Sequence, residues 1–321
     1  MLNETDAVII HTTEISFTYV LVRAVIFSAL SLIIMTSNGF ALVVLQHMPE
    51  LKDATRIFMT SLTVSDICLG LFGLLPVAVN SVVMTQEMGG VPKPHLTLCV
   101  VQNATLTLLQ YVDLTSVLLI NAERYIACVY PLKYPIIVTR KRCLIAVASL
   151  LLFWVIWATY AYLILLSNTT PVYDVRYGFC TLYSEANVKW LIIGITCNLL
   201  VPLGIVIGIY WKLMKVVKDH EERMAIDLGR GGVNQDRSNR SSNHRALITF
   251  LLVTLSIIVG WFPYVIVVIY PTLTDNELPV ELVFISQCIM YSIPWVNVLI
   301  YYMRNKQFEL TAKKMLRKIL T

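Results

Sequence analysis

Long apolar runs dominate this chain, with little regular alternation of apolar and polar positions. Seven runs are long enough to cross a bilayer core of about 30 Å, which takes about 20 helical residues. They are Ala24–Gln46, Ile57–Val83, Leu96–Ala122, Leu144–Tyr173, Trp190–Trp211, Ala246–Thr274 and Leu282–Met303. Asp66 interrupts the second and Asp113 the third; the other five carry no charge. Helices of a soluble bundle need a polar outer face, and these have none. The pattern predicts an all-α membrane protein, a seven-transmembrane helix bundle. Beyond the seventh run, Phe308, Leu310, Met315, Leu316 and Leu320 are set among Lys306, Lys313, Lys314, Arg317 and Lys318. That spacing predicts a short basic amphipathic helix on the anionic inner leaflet, so membrane lipid is an expected partner.

Composition supports this reading. The chain is 57% hydrophobic and 14% charged, with a mean hydropathy of +0.71, whereas soluble domains are about 25% charged. The basic residues set the orientation. With the N-terminus outside, twenty of the 25 fall on inner segments, four (Arg23, Lys93, Arg176 and Lys189) fall outside, and Arg124 stands at the inner rim. The net charge of +5 reflects this inner bias and implies no nucleic-acid partner. The expected organisation is an extracellular tail over 1–16, a transmembrane domain over 17–303, and a cytoplasmic amphipathic helix and tail over 304–321. Residues 219–243, rich in charge, Gly, Ser and Asn, read as a mobile inner connection, and Ser238, Ser241 and Ser242 follow basic residues there in the manner of kinase sites. The polar start lacks the basic region of a cleaved signal peptide, so the first span is expected to act as an uncleaved anchor. The sequons at Asn3 and Asn168 fall outside and are open to glycosylation; those at Asn103 and Asn239 do not. Of seven cysteines, Cys99 and Cys180 are the pair on the oxidising side, and a disulfide is expected between them.

Ionisable residues at membrane depth are costly and point to function. Asp66 and Asp113 lie mid-span, and Glu123–Arg124 ends the third run. Asn103, Thr107, Gln110, Asp113 and Arg124 form one polar stripe on that helix, Asp113 and Arg124 being about three turns apart.

At these positions the chain resembles the rhodopsin-like (class A) G-protein-coupled receptors. Each span contributes a motif: Asn38 in "SNGF", "SLTVSD" ending at Asp66, Cys99 followed by "ERY" (Glu123, Arg124, Tyr125), Trp154, Pro202 with Tyr210, "GWFPY" with Trp261 and Pro263, and "NVLIY" from Asn297 to Tyr301 followed by "RNKQF". The resemblance covers Asn38 to Phe308. It implies a cell-surface receptor, not an enzyme, located in the plasma membrane with its C-terminus in the cytoplasm. Such a receptor binds an extracellular ligand and activates a heterotrimeric G protein, with kinases and arrestin as further partners. It also implies that Glu123 holds Arg124 at rest until the sixth span swings outward, Tyr210 and Tyr301 then helping Arg124 to meet the G protein. The family's locking acid at the inner end of the sixth span is replaced by Asn243, so a weakly held resting state is expected. Val298 stands where the family has proline, with Pro294 one turn earlier, and Gly260 replaces a cysteine.

The resemblance further implies a sodium pocket at Asp66, Asp113, Asn38 and Asn297. Here Asp113 replaces a small polar residue, which predicts either tighter cation binding or a shared proton; a hydrogen bond from Asp113 to a neighbouring helix is the plainer reading. The expected ligand pocket is lined by Leu106, Thr107, Gln110, Asn198, Trp261, Tyr264, Val268, Gln287 and Tyr291. Leu106 replaces the ammonium-binding aspartate of amine receptors and Tyr291 the retinal lysine of opsins. A neutral or weakly polar small molecule is therefore expected. A peptide resting on acidic outer residues and an odorant are other options within the fold. A transporter would show repeated halves or matched helix breaks, and none is visible.

Overall fold

The computed structural model describes residues 16–48, 51–86, 93–168, 171–174, 179–182, 200–228, 236–274, 276 and 278–320. The first helix, α1 (Phe17–Gln46), is capped by Ser16, whose side chain accepts from the Thr18 N–H. Its buried positions, among them Val20, Phe27, Ile34, Ala41 and Val44, form one stripe, while Val25 (61% exposed) and Leu32 (56%) face outward. An apolar outer face is unfavourable in water and required in lipid.

The second span is composite: α2 (Asp53–Cys68), a π-helical turn (Leu69–Leu74) and α3 (Leu75–Gln86). Its glycines bring neighbouring helices close. A Cβ on Gly70 would lie 2.9 Å from Met35 Cγ, and one on Gly73 would lie 2.8 Å from Leu106 Cδ1. Ser31 of α1 donates to the Gly70 carbonyl at 2.8 Å. The third span is α4 (Lys93–Val129), followed by a short turn of helix, α5 (Tyr134–Ile137), and the fourth span, α6 (Arg140–Asn168). Strands β1 (Pro171–Asp174) and β2 (Phe179–Leu182) pair antiparallel, with Tyr173 opposite Cys180. The fifth and sixth spans are α7 (Val201–Leu228) and α8 (Asp236–Thr274). The seventh is α9 (Val280–Tyr291) and α10 (Ile293–Arg304), and α11 (Lys306–Leu320) follows.

Six helical stretches among the described residues are long and apolar enough to cross a membrane, and Val201–Lys212 is a shorter apolar part of the fifth span. The molecule is thus the expected seven-helix bundle, with three differences of detail. The fourth helix ends at Asn168, before Tyr173, because Asn168-Thr169-Thr170-Pro171 leads the chain into β1 and Pro171 has no N–H to continue a helix. The segment read as a mobile connection over 219–243 is helical through Leu228 and again from Asp236. The seventh span is interrupted at Ser292, with Pro294 in the first turn of the helix that follows. At the far end, the Asn305 side chain accepts from the N–H groups of Gln307 (3.1 Å) and Phe308 (3.2 Å), starting α11 in a new direction. Phe308 and Ala312 are fully buried against the bundle.

Among the described residues, two buried clusters fill the interior. One, around Phe58, Leu62, Val117, Ile257 and Tyr301, lies toward the end carrying Glu123–Arg124, which the bias of basic residues makes the expected inner end. The other, around Phe27, Leu74, Leu106 and Tyr291, fills the outer half.

Candidate functional site

At the inner end, helical spacing and two neighbouring elements converge on one charged pair. Glu123 Oε2 meets Arg124 Nε at 2.6 Å, an ion pair off the line a hydrogen bond requires, with side chains 1% and 16% exposed. Glu123 Oε1 accepts from Arg124 Nη2 at 3.2 Å, from Thr55 Oγ1 at 3.3 Å and from the Tyr134 hydroxyl at 2.6 Å. Thr55 also accepts from Arg124 Nη2. The Lys52 ammonium lies 4.6 Å from the Tyr134 ring centroid. Burial, reinforced by the hydrogen bond to Glu123, raises the Tyr134 hydroxyl above the ordinary phenol range, so Tyr134 remains a donor. A buried charge is tolerated only when paired and hydrogen-bonded. Both conditions are met here, and Arg124 is held among α2, α4 and α5.

One turn above, Asn121 ties three spans together. Its Oδ1 accepts from the Tyr210 hydroxyl at 2.9 Å, and its Nδ2 donates to Val117 O at 2.9 Å and Thr254 Oγ1 at 3.2 Å. Sequence reasoning passed over Asn121, although an amide between an apolar run and a charged pair is the kind of intramembrane polar residue that marks such a joint. Ser256 on α8 and Asn297 on α10 are linked at 3.3 Å. Tyr301 is buried, and its hydroxyl has no hydrogen-bond partner among the described residues. The Tyr125 ring lies edge-on to Tyr130 at 6.2 Å. Trp154 donates to Thr115 Oγ1 at 3.1 Å and lies 4.9 Å from the Tyr111 ring, anchoring the fourth span.

Mid-bundle, a cavity of about 30 Å³ brings together Asp66, Asp113, Gln110, Trp261, Tyr291 and Asn297. Both carboxyls line it, and Ser65 donates a hydrogen bond to Asp113. Asn38 does not line this cavity. Its Nδ2 donates to Ile34 O (3.1 Å) and Pro294 O (3.4 Å), joining the first span to the break in the seventh.

The expected ligand residues divide. Gln110, Trp261 and Tyr291 reach the cavity; Leu106 and Gln287 are buried in packing; Thr107 turns its hydroxyl to Asn103 O at 2.9 Å. Tyr264 stands edge-on to Trp261 at 6.3 Å, and Val268 is half-buried. Asn198 and Asn3 lie outside the described residues, as do the side chains of Cys99, Cys180 and Asn168. In the outer half, Arg23 is fully buried near the Tyr19 ring, 5.7 Å from its centroid. It shares the buried stripe of Val20 and Phe27, and that spacing was its signal in the sequence.

Gly260 has a packing role beside Trp261. A Cβ there would lie 2.5 Å from Ile293 Cδ1 and 2.6 Å from Ile293 Cγ1, so Ile293 occupies the notch the missing side chain leaves. Gly260→Cys is expected to lower stability by about 1–3 kcal/mol through overpacking. In an Ile293→Ala background the loss should largely vanish; equal losses in thermal midpoint in both backgrounds would contradict the notch.

Residues 37–301 match the family described as 7 transmembrane receptor (rhodopsin family). The histamine H2 receptor of Rattus norvegicus is 25% identical over 290 residues, covering 89% of this chain and 76% of the relative. The trace amine-associated receptor 13c of Danio rerio is 24% identical over 258 residues, 78% of this chain and 72% of the relative. The alpha-1A adrenergic receptor of Oryzias latipes is 25% identical over 296 residues, 83% and 60% respectively. In fold, the chain is similar to the crystal structure of squid rhodopsin, with a TM-score of 0.78 at 15% identity, covering 98% of this chain and 92% of that one.

Proposed function

Because the chain belongs to the rhodopsin family of seven-transmembrane receptors, we propose that it is a plasma-membrane receptor in which an extracellular small molecule frees Arg124 to engage a heterotrimeric G protein. The observation that carries this reading is the enclosure of Arg124 by Glu123 and Thr55, with Tyr134 holding Glu123 from the other side. Outward movement of the sixth span, which carries Trp261 and Pro263, would break the Asn121–Thr254 and Ser256–Asn297 bonds. Tyr210 and Tyr301 would then turn toward Arg124. For Tyr301, whose buried hydroxyl has no partner among the described residues, the move relieves a cost, since such a hydroxyl is worth about 1–3 kcal/mol of destabilisation. The N-terminus is outside and the C-terminus inside, where kinases and arrestin have access and α11 lies on the lipid surface.

The ligand is a neutral or weakly polar molecule contacting Gln110, Trp261, Tyr264 and Tyr291. Three relatives carry the names of amine receptors. In this chain, however, the position that serves the ammonium in amine receptors is Leu106, which is 2% exposed and packed against Gly73. It offers an amine no counter-charge.

The test is nucleotide exchange on each G-protein class in membranes containing the protein, with and without Arg124→Ala. Since residue 243 is not an acid, ligand-free exchange above background is expected with at least one class, falling at least tenfold in Arg124→Ala. Exchange that is the same in both proteins would rule out Arg124 as the coupling group.

A further inference from the structure

Helix α5 (Tyr134–Ile137) is a single turn, too short to persist on its own backbone bonds. Two side-chain contacts hold its ends. At its start the Tyr134 hydroxyl donates to Glu123 Oε1 at 2.6 Å. At its end Arg142 Nη1 donates to Ile136 O at 2.8 Å and to Ile137 O at 3.3 Å, carbonyls of the kind that a helix terminus leaves without intrahelical partners. Arg142 belongs to α6, so it bridges the two helices across their connection, Val138 and Thr139. The enclosure of Arg124 therefore depends, through Glu123, Tyr134 and α5, on the Arg142 side chain.

Thr139 stands where it can change that. Its Oγ1 accepts from the Arg142 N–H at 3.4 Å, while the Arg142 guanidinium reaches back over the same connection to α5. The segment is open to a large partner: Leu132 is 90% exposed and Ile136 69%, Thr139 is partly exposed, and Arg140, Lys141 and Arg142 are exposed. Three consecutive cations directly after a reachable hydroxyl complement an acidic substrate groove.

We propose that Thr139 is a phosphorylation site for a serine/threonine kinase that selects basic residues after the hydroxyl, and that its phosphate loosens α5 by drawing Arg142 away. The kinase transfers the γ-phosphoryl group of ATP to Thr139 Oγ1. The hydroxyl proton passes to the kinase's catalytic aspartate, an O–P bond forms as the bond to the β-phosphate oxygen breaks, and ADP leaves. The product carries about −1.5 to −2 charges at neutral pH, beside the Arg142 guanidinium. An arginine–phosphate contact is charge-assisted, about twice as strong as a neutral hydrogen bond, and favours a two-pronged fork. Making that fork turns the guanidinium edge from the Ile136 and Ile137 carbonyls to the phosphate. The end of α5 then loses its restraint, and Tyr134 loses its fixed place opposite Glu123. The proposal rests on the orientation given under Proposed function, in which this end faces the cytoplasm and its ATP.

The experiment uses the purified full chain in nanodiscs, where both ends are accessible, with magnesium-ATP and the catalytic domain of such a kinase. Mass spectrometry of the tryptic peptide Tyr134–Arg140 locates the phosphate, with Thr139→Val as control. Hydrogen exchange of the Ile136, Ile137 and Val138 amides, which bond to Lys133 O and Tyr134 O, reports the state of α5. The expected result is phosphate on Thr139 and exchange at these amides faster by about tenfold, the order of one hydrogen bond from a charged donor. Arg142→Ala should show the faster exchange without phosphate, and phosphorylation should then add little. A kinase that leaves Thr139 unmodified overturns the proposal, as does a phosphorylated parent whose α5 exchange is unchanged or slower. If the variants fail to fold, the parent with and without phosphate decides. Neither readout involves a G protein, so failure to couple would count against the proposed function alone. A chain inserted the other way round would take phosphate in nanodiscs and lack it in cells.

Discussion

Replacing Glu123 with alanine raises ligand-free signalling at least tenfold at equal surface expression. Removing one member of a buried ion pair costs about 3–5 kcal/mol, because the remaining charge is left uncompensated, and about 1.4 kcal/mol is tenfold in a two-state ratio. Arg124 is 16% exposed, which moves the estimate to the lower end. The Tyr134 hydroxyl and Thr55 Oγ1 also lose their shared acceptor, Glu123 Oε1. The penalty falls on the resting state, since that is the state in which these groups are enclosed. Glu123→Gln separates the contributions: it keeps a side-chain oxygen for Tyr134 and Thr55 but removes the charge. A basal signal intermediate between parent and Glu123→Ala would apportion the effect between ion pair and hydrogen bonds. Parental basal signalling in Glu123→Ala, with the protein at the surface, would show that Arg124 is restrained by something else.

The second large effect is expected at Phe308. Its side chain is fully buried, 6.4 Å from the Tyr301 ring, and fastens α11 to the last turns of the seventh span. Phe308→Ala removes a large buried side chain and leaves a cavity, which typically costs about 3–5 kcal/mol. Leu310, two residues along the same helix, is 57% exposed, and Leu310→Ala should change stability by no more than about 0.5 kcal/mol. Thermal midpoints of the two variants in detergent should differ accordingly. Similar midpoints would mean that α11 is held by its lipid-facing side and not by Phe308. Because Phe308 packs beside Tyr301, its loss should also alter coupling, which a purely peripheral anchor would not do.

The sequence alone determined the number of spans and their approximate limits, because a continuous apolar run of about 20 residues has few alternatives to a membrane helix. It also singled out Asp66, Asp113, Glu123 and Arg124 as candidates, since charge at membrane depth is costly. Helix ends were less legible. The fourth span stops at Asn168 and the fifth and sixth run beyond their apolar stretches, because a helix can continue into water with polar residues, where hydropathy no longer marks it. The strand pairing of 171–174 with 179–182 depends on contacts between segments and has no period of its own in four residues.

Only the tertiary structure decided which polar groups meet. Asp66 and Asp113 are 47 positions apart in the chain and share one cavity, while Asn38 turns to the Pro294 carbonyl and away from that cavity. Thr55 and Tyr134, which no motif singled out, complete the enclosure of Arg124. Leu106 serves packing because Gly73 leaves it a recess. Each of these depends on the rotation and separation of neighbouring helices. Those are set by small residues at close crossings and by side-chain packing, which a single chain read in order does not display.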